Sequence, residues 1–573
     1  MTNTRPRTPR QAAVLVTTGL LLLLAACTGV NAGPSTTTTP RTSAPAPSQP
    51  SASVTSSEPA EPTEGTPSSV AGGIDAAVDE LAPDQYSAEE IPESQITDAI
   101  DQVDGIAADV MSKSGVPGMA VAVVHDGEVV FAKGYGVREV GKPETVDENT
   151  VFQLASVSKS IGSTVIARAV TDGTVSWSDP VVKYLPNFQL ADPAVTQAVT
   201  IGDLYSHRSG IPGGAGDDLE GIGFTREQIL ERLRYYPLNP FRITYGYTNF
   251  GMTAGGEAVA AAAGIPWEEL SAKEIYEPLG MTSTSSTYAD FLTRPNRTTL
   301  HFNEGGDFEP LYIRNADAQS PAGGVSSNVT DMANWLNMNL ASGMVDGEQL
   351  IDPKALLAAH TSQINSNPAD EPDARSRYYG YGFNVESTST GHVKWGHSGA
   401  FYVGAGTTFS MIPAADVGIV VLTNASPVGA AEAVATTFTD LVRTGRVERD
   451  WLAYYGPLFA GLFVNRSVVA TPAPASPAPA RPTADYVGTY TNQVAGDVVV
   501  TAAGDVLTVQ VGPKALNAPL THYDGDVFSW LPPGGNGDPV SAVTFAGDAA
   551  GPAQTINLEF LDGHQFGTFT RVG

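Results

Sequence analysis

With 573 residues and 42% apolar side chains, the chain has the material for a large buried core and for more than one domain. Its 31 Lys and Arg stand against 61 Asp and Glu, a formal net charge of -30 that argues against nucleic acid or an anionic lipid surface as a partner and serves solubility. The single cysteine, Cys27, rules out an intramolecular disulfide.

In chain order, Arg5, Arg7 and Arg10 precede an apolar run over residues 12–26. The run is too short to span a bilayer comfortably and has the length and flanks of a secretory signal. It ends Leu24-Ala25-Ala26-Cys27, which resembles the bacterial lipobox, so residues 1–27 read as a lipoprotein signal with Cys27 as the lipidated first residue of the mature protein. Acylation by more than one chain would supply the two signals that stable anchoring takes, at the outer face of a bacterial cell membrane. Residues 28–73 are Ser, Thr, Pro and Ala with almost no large apolar side chain, and are expected to form a disordered tether. A second Pro/Ala-rich stretch, residues 467–483, reads as a linker between a folded region at 74–466 and a final segment at 484–573.

Ile96, Ile100, Val103, Ala107 and Val110 recur at helical spacing, and Pro117-Gly118 ends that pattern. Residues 119–124 and 128–133 then read as a hairpin around His125-Asp126-Gly127. A helix is expected to start near Ser156, with Val165, Ile166, Ala169 and Val170 on its apolar side and Asp172-Gly173 closing it. Residues 393–399 read as a strand, and 403–412 and 417–423 as neighbouring strands. The fold class is α+β, an antiparallel sheet packed by helices.

Ser156-Val157-Ser158-Lys159 puts a hydroxyl and an amine on one face of that helix, at an N-terminal end that favours an oxyanion. No other Ser-x-x-Lys occurs in the chain. A lysine with an ordinary pKa is a poor base at neutral pH, and Tyr247-Thr248-Asn249 offers the phenol to accept or relay the serine proton and an amide to bind both substrate and Lys159. In His397-Ser398-Gly399, on the candidate strand, Gly399 permits close approach, and the N–H of Ala400 could complete an oxyanion hole with that of Ser156. The Tyr-x-Asn and His-x-Gly patterns each have a second copy. Tyr490-Thr491-Asn492 lies beyond the linker, and His125-Asp126-Gly127 reads as a turn. Residues 396–400 approach a Gly-x-Ser-x-Gly elbow, but Ala400 breaks it. His207 reads as structural, because the serine already has its base. Neither a zinc-ligand spacing nor a Gly-rich phosphate loop is evident, so no metal and no cofactor are expected.

Ser-x-x-Lys, then Tyr-x-Asn, then His-x-Gly resembles the penicillin-recognising serine hydrolases: class C beta-lactamases, low-molecular-mass DD-peptidases, D-aminopeptidases and related esterases. The strings FQLASVSKS (152–160), TIGDLYSHRSGIP (200–212) and PAGGVSS (321–327) extend the resemblance over residues 95–445. It implies a beta-lactamase/transpeptidase-like domain with Ser156 as nucleophile and Lys159 and Tyr247 as the acid/base pair. Asn249, His397, Ser398 and Gly399 would contact substrate. His397 stands where lactamases commonly carry a lysine, and an imidazole grips a substrate carboxylate less surely than a permanent ammonium. That departure looks more like certain DD-peptidases and D-aminopeptidases. From Tyr486 onward, short apolar stretches alternate with turns, as in a small β-sheet or barrel. That segment resembles the all-β, lipocalin-like domain often appended to this family.

The chain therefore reads as an exported serine hydrolase that forms an acyl-enzyme on an amide or ester, above all a D-residue peptide or cell-wall fragment. Lactamase or carboxylesterase activity is the alternative within the family, and a lipoprotein that binds penicillin or wall fragments without turnover is the non-enzymatic one. The expected partners are a small peptide, ester or lactam and, through Cys27, a membrane.

Overall fold

Two antiparallel sheets, one of eight strands and one of nine, carry the fold in this computed structural model. It describes residue 87 and residues 89–534, 537–548 and 551–572. The expected signal, Cys27 and the expected tether lie outside the described residues.

Where one helix was expected near residue 100 there are two, α1 (Glu93–Ile100) and α2 (Val103–Ser114). The Gln102 N–H reaches back only to the Ala99 carbonyl, at 3.2 Å, a tighter turn that ends the first helix. Gly115, at φ 72°, closes the second. Strands β1 (Gly118–His125) and β2 (Glu128–Gly136) follow as the expected hairpin. Its tip, Asp126 at φ 50° and Gly127 at φ 76°, has the two left-handed residues that match strand twist. Next come α3 (Ser158–Thr171), α4 (Asp217–Gly221), α5 (Asn249–Ala263) and α6 (Val329–Leu340). The rest of the sheet is β3 (Ile364–Asn367), β4 (Arg377–Tyr379), β5 (Asn384–Ser387), β6 (Val393–Phe401), β7 (Ala405–Ile412) and β8 (Val417–Thr423), with α7 (Ala430–Thr444) behind. The strand order is β2-β1-β8-β7-β6-β5-β4-β3.

Every residue of β1 and β8 is buried, because helices cover both faces of the sheet. Alternate residues divide between two apolar layers. Ala120, Ala122, Val124, Val420 and Leu422 face the large core with α3 and α5, whereas Met119, Val121, Val123, Ile419 and Val421 face α1, α2 and α7.

The C-terminal region is all-β. Strands β9 (Gly488–Asn492), β10 (Gly496–Ala503), β11 (Val506–Val511), β12 (Leu516–Pro519), β13 (Thr521–Asp524), β14 (Val527–Trp530), β15 (Ser541–Ala546), β16 (Thr555–Leu558) and β17 (Thr568–Val572) pair in the order β12-β11-β10-β9-β17-β16-β15-β14-β13. The two edge strands, β12 and β13, are consecutive in the chain and separated by Leu520 alone, so the sheet curls until its edges meet in a barrel-like shape. Tyr486, Tyr490, Phe528 and Phe545 pack ring against ring inside it. This barrel docks on the segment that follows α4. Arg232 Nε donates to the Val494 carbonyl at 2.8 Å, and the Tyr236 ring lies 5.1 Å from both His564 and Phe566. A Cβ on Gly512 (φ 70°) would stand 2.0 Å from the Ile222 carbonyl oxygen, so only glycine permits that approach.

Candidate active site

Ser156 lies on a 3-10 turn, Ala155–Val157, that leads into α3. The preceding Ala155 is held at φ 48°, a left-handed conformation that costs a non-glycine residue energy and that surrounding contacts must impose. Those contacts come from the PAGGVSS string. Phe152 and Gln153 pair with Ser327 and Ser326, the Leu154 N–H donates to the Val325 carbonyl at 2.8 Å, and the Val325 N–H donates to Ser158 Oγ at 3.0 Å. The result is a nucleophile corner clamped on one side by residues 320–327.

Lys159 is fully buried. Its Nζ donates to Ser156 Oγ at 3.0 Å, to Asn249 Oδ1 at 2.7 Å and to the Ala322 carbonyl at 2.9 Å. The face of Tyr247 lies 4.7 Å from the same Nζ. Thr248 caps α5 by accepting from the Gly251 N–H at 3.2 Å, which places Asn249 in the first helical turn with its amide turned toward α3. Behind Tyr247 sits His207, whose Nδ1 accepts from the Thr248 N–H at 3.3 Å and whose ring is 4.5 Å from that of Tyr247. Burial, with Lys159 and His397 nearby, holds His207 well below the usual histidine range and therefore neutral. It braces the Tyr-Thr-Asn backbone.

Strand β6 supplies the opposite wall. A Cβ on Gly399 would meet the Leu154 carbonyl oxygen at 2.2 Å, Thr407 Oγ1 at 2.4 Å and the Ser156 nitrogen at 2.9 Å, so glycine is what lets β6, with Ala400 next in line, lie against the nucleophile backbone. His397 Nδ1 donates to the Ser398 carbonyl at 2.6 Å, which leaves Nε2 to accept from the Tyr379 hydroxyl at 2.9 Å. Burial, and then the Lys159 charge, push the His397 ring down to about 3, so it is neutral near pH 7. Period-two alternation sends the Ser398 side chain to the other face. There it donates to Thr408 Oγ1 at 3.2 Å, away from the Ser156 cluster.

The structure thus brings Ser156, Lys159, Tyr247, Asn249, His397 and Gly399 together, and leaves the Ser398 hydroxyl outside. It adds groups that motif reading missed: the Ala322 carbonyl, Tyr379, and Asp217, whose carboxylate accepts from Asn249 Nδ2 at 3.2 Å on each oxygen. PAGGVSS marked the first only as a string. Tyr379 and Asp217 sit in no repeated pattern, and long-range folding alone delivers them. The two duplicate motifs fall elsewhere. Tyr490 is in the barrel interior, donating to the Tyr486 carbonyl and accepting from Arg571. His125 is at the β1–β2 tip, where it meets Glu93 and Asp126 in a surface cluster.

Fold and site together define a serine hydrolase. The beta-lactamase family profile matches residues 103–443, and the chain belongs to that family. Residues 472–569 match a second profile, described as a domain of unknown function (DUF3471). Among curated proteins, the chain is 27% identical over 483 residues to the unguisins hydrolase ungD of Aspergillus violaceofuscus, covering 77% of this chain and 85% of that one. It is also 27% identical to the D-alanyl-D-alanine-carboxypeptidase/endopeptidase AmpH of Escherichia coli, over 62% of this chain and 91% of AmpH. Penicillin-binding protein 4 of Amycolatopsis lactamdurans is 29% identical, over 57% of this chain and 84% of its own length. The octameric penicillin-binding protein homologue from Pyrococcus abyssi shares the fold, with a TM-score of 0.52 at 21% identity over 82% of this chain and all of that one.

Proposed function

We propose that this protein is an exported hydrolase that acylates Ser156 with a D-residue-containing peptide or a related cell-wall fragment and releases the acyl group to water. The observation that carries the reading is the buried Lys159 Nζ, 3.0 Å from Ser156 Oγ and fixed by two further acceptors. In the arrangement seen, Lys159 donates to all three partners, as an ammonium does. An ammonium cannot take the serine proton and a neutral phenol cannot relieve it of one, so the acylating state holds the pair one proton short, as a neutral Lys159 amine or as a Tyr247 phenolate against the ammonium, and that base takes the serine proton. The Ser156 oxygen then bonds to the carbonyl carbon, the displaced electron pair moves to the carbonyl oxygen, and the N–H groups of Ser156 and Ala400 receive that oxyanion. Collapse breaks the C–N or C–O bond as the leaving group takes the proton, and water repeats the sequence on the acyl-serine.

Strand β6 bears on the substrate class. A neutral His397 already engaged by Tyr379 offers no permanent cation for the carboxylate of a lactam, which supports peptide or ester over lactam as the preferred substrate. The relationship to AmpH, named as a D-alanyl-D-alanine-carboxypeptidase/endopeptidase, supports the D-peptide reading. We place the enzyme on the outer face of the cell membrane through lipidated Cys27, with residues 28–73 as tether and a lipocalin-like barrel docked beside the site. Loss of membrane-fraction activity in Cys27→Ala checks the anchor.

Mass spectrometry after incubation with a p-nitrophenyl ester and, separately, a fluorescent penicillin tests the chemistry. A transient Ser156 adduct with turnover, absent in Ser156→Ala, is expected. Turnover by purified Ser156→Ala would sink the mechanism. A permanent adduct without turnover would favour a sensor, and fast lactam loss a lactamase.

A further inference from the structure

The amide of Asn249 is held at both ends. Oδ1 accepts from Lys159 Nζ at 2.7 Å, and Nδ2 donates to both oxygens of Asp217 at 3.2 Å. Turned half a revolution about its last side-chain bond, the amide would set its NH2 against the lysine ammonium and its oxygen against the carboxylate, donor to donor and acceptor to acceptor. The carboxylate therefore selects which end of Asn249 faces Lys159. We propose that Asp217 is a positioning residue for acylation, acting through Asn249 to hold the Lys159 amine on the Ser156 hydroxyl.

The seat of Asp217 is built for a fixed carboxylate. Gly216, at φ 94°, turns the chain into α4, and a Cβ there would meet Ile229 Cγ2 at 2.7 Å and Phe250 Cδ2 at 3.0 Å, so packing against α5 sets the entry. Beyond the other end of α4, the barrel closes on Gly221 and Ile222 through Gly534 and Gly512. Asp217 is half-buried. Burial, then Glu220, push its carboxyl up to about 7, while Asn249, Lys159 and Arg314 hold it down. Asp218 on the same helix and Tyr236 also face it, and Asp538 of the barrel faces Asp218. Lys159 and Arg314 are the cations opposite this acidic group, and Arg314 is paired with Glu220. The carboxylate that fixes Asn249 thus lies between the catalytic helices and the C-terminal barrel.

The inference rests on Ser156 acylation, and a double-mutant cycle separates the two. Single-turnover acylation by a p-nitrophenyl ester is measured for wild type, Asp217→Leu, Asp217→Asn, Asn249→Ala and Asn249→Ala/Asp217→Leu. Leucine, which removes the acceptor, should slow acylation about 10–100-fold with KM moved less than about 3-fold, the scale of a misplaced catalytic group. Asparagine keeps an acceptor oxygen and should stay within about 5-fold of wild type. In the Asn249→Ala background the leucine change should cost less than about 3-fold, because its effect travels through the missing amide. Equal losses in both backgrounds would overturn the proposal, as would a loss confined to KM, which would mark Asp217 as a direct substrate contact. Ser156-dependent acylation left untouched by Asp217→Leu would also overturn it while leaving the enzyme reading intact. Acylation independent of Ser156 would overturn the reading itself.

Discussion

The catalytic region and the C-terminal barrel each contain Tyr-Thr-Asn, and the two copies do different work because the chain enters them differently. In Tyr247-Thr248-Asn249 the threonine caps a helix, so the tyrosine and asparagine flank one buried amine. In Tyr490-Thr491-Asn492 the tripeptide ends strand β9. Alternation turns Tyr490 into the barrel, where Arg571 lies 4.7 Å from its ring, and Asn492 bonds the Phe566 carbonyl at 2.7 Å and caps the turn before Ala495. A short motif specifies chemistry only when the element carrying it also places a partner. The sharpest way to break the comparison is to remove both phenols. Tyr247→Phe should lower kcat by about 10²–10⁴-fold, the range of a lost general acid/base, with little change in thermal midpoint. Tyr490→Ala should cost about 3–5 kcal/mol of stability, as core aromatic truncations do, with kcat per folded molecule unchanged. Calorimetry and kcat on the same preparations check both, and a rate loss in the Tyr490 variant at full folding would erase the distinction.

A second contrast lies between two aspartates fourteen positions apart. Asp203 is fully buried, but Arg242, Arg208 and the Thr200 N–H outweigh its burial and hold its carboxyl below the usual range. Asp217 has an amide where Asp203 has two guanidinium groups, and its carboxyl rises. Asp203 secures the segment at 200–212 and the chain at Arg242 just before Tyr247, so it belongs to the scaffold. Asp203→Ala should destabilise by about 3 kcal/mol, the low end for a broken buried pair because Arg242 is half exposed. The depressed pKa fixes the pH window: the contribution of Asp203 is present above the unfolded value near 3.9 and is lost as pH falls through the folded one. Urea midpoints for wild type and Asp203→Asn should therefore differ at pH 7 and converge toward pH 3. A gap that persists in acid would remove the ion pair from the explanation.

These contrasts show what the sequence made legible. The β1–β2 hairpin, the strand pair β7 and β8 and the helix at Ser156 were readable because local period and turn residues agreed with their burial. Ser156 and Lys159 were readable because their partnership spans one helical turn. Asp217 and Tyr379 were not, since each reaches its partner only after sheet and helices assemble, and no local spacing encodes that. Ser398 misled for a related reason. Its neighbours His397 and Gly399 face the site, and on a strand that very fact sends Ser398 to the far side.

The smallest effect concerns the two His-x-Gly copies, whose imidazoles titrate in opposite senses. At His397 burial dominates, the Lys159 charge adds to it, and the ring stays neutral. At His125 burial also works against the charged ring, but the Glu93 carboxylate at 3.0 Å, the Asp416 carbonyl and Asp126 outweigh it, and the pKa rises. A raised histidine pKa stabilises the folded state fully below the unfolded value of about 6.5, and that contribution is lost as pH climbs through the folded value. Glu93 is two-thirds exposed, so the pair belongs with surface ion pairs worth about 0.2–1 kcal/mol. Glu93→Gln should lower the thermal midpoint measurably at pH 5.5, where His125 is charged, and hardly at all at pH 9. A decrement of equal size at both pH values would mean that Glu93 serves helix α1 rather than the imidazole. A decrement larger at pH 9 would reverse the assigned sign and, with it, the contrast between a turn histidine set among exposed carboxylates and the one beside Lys159.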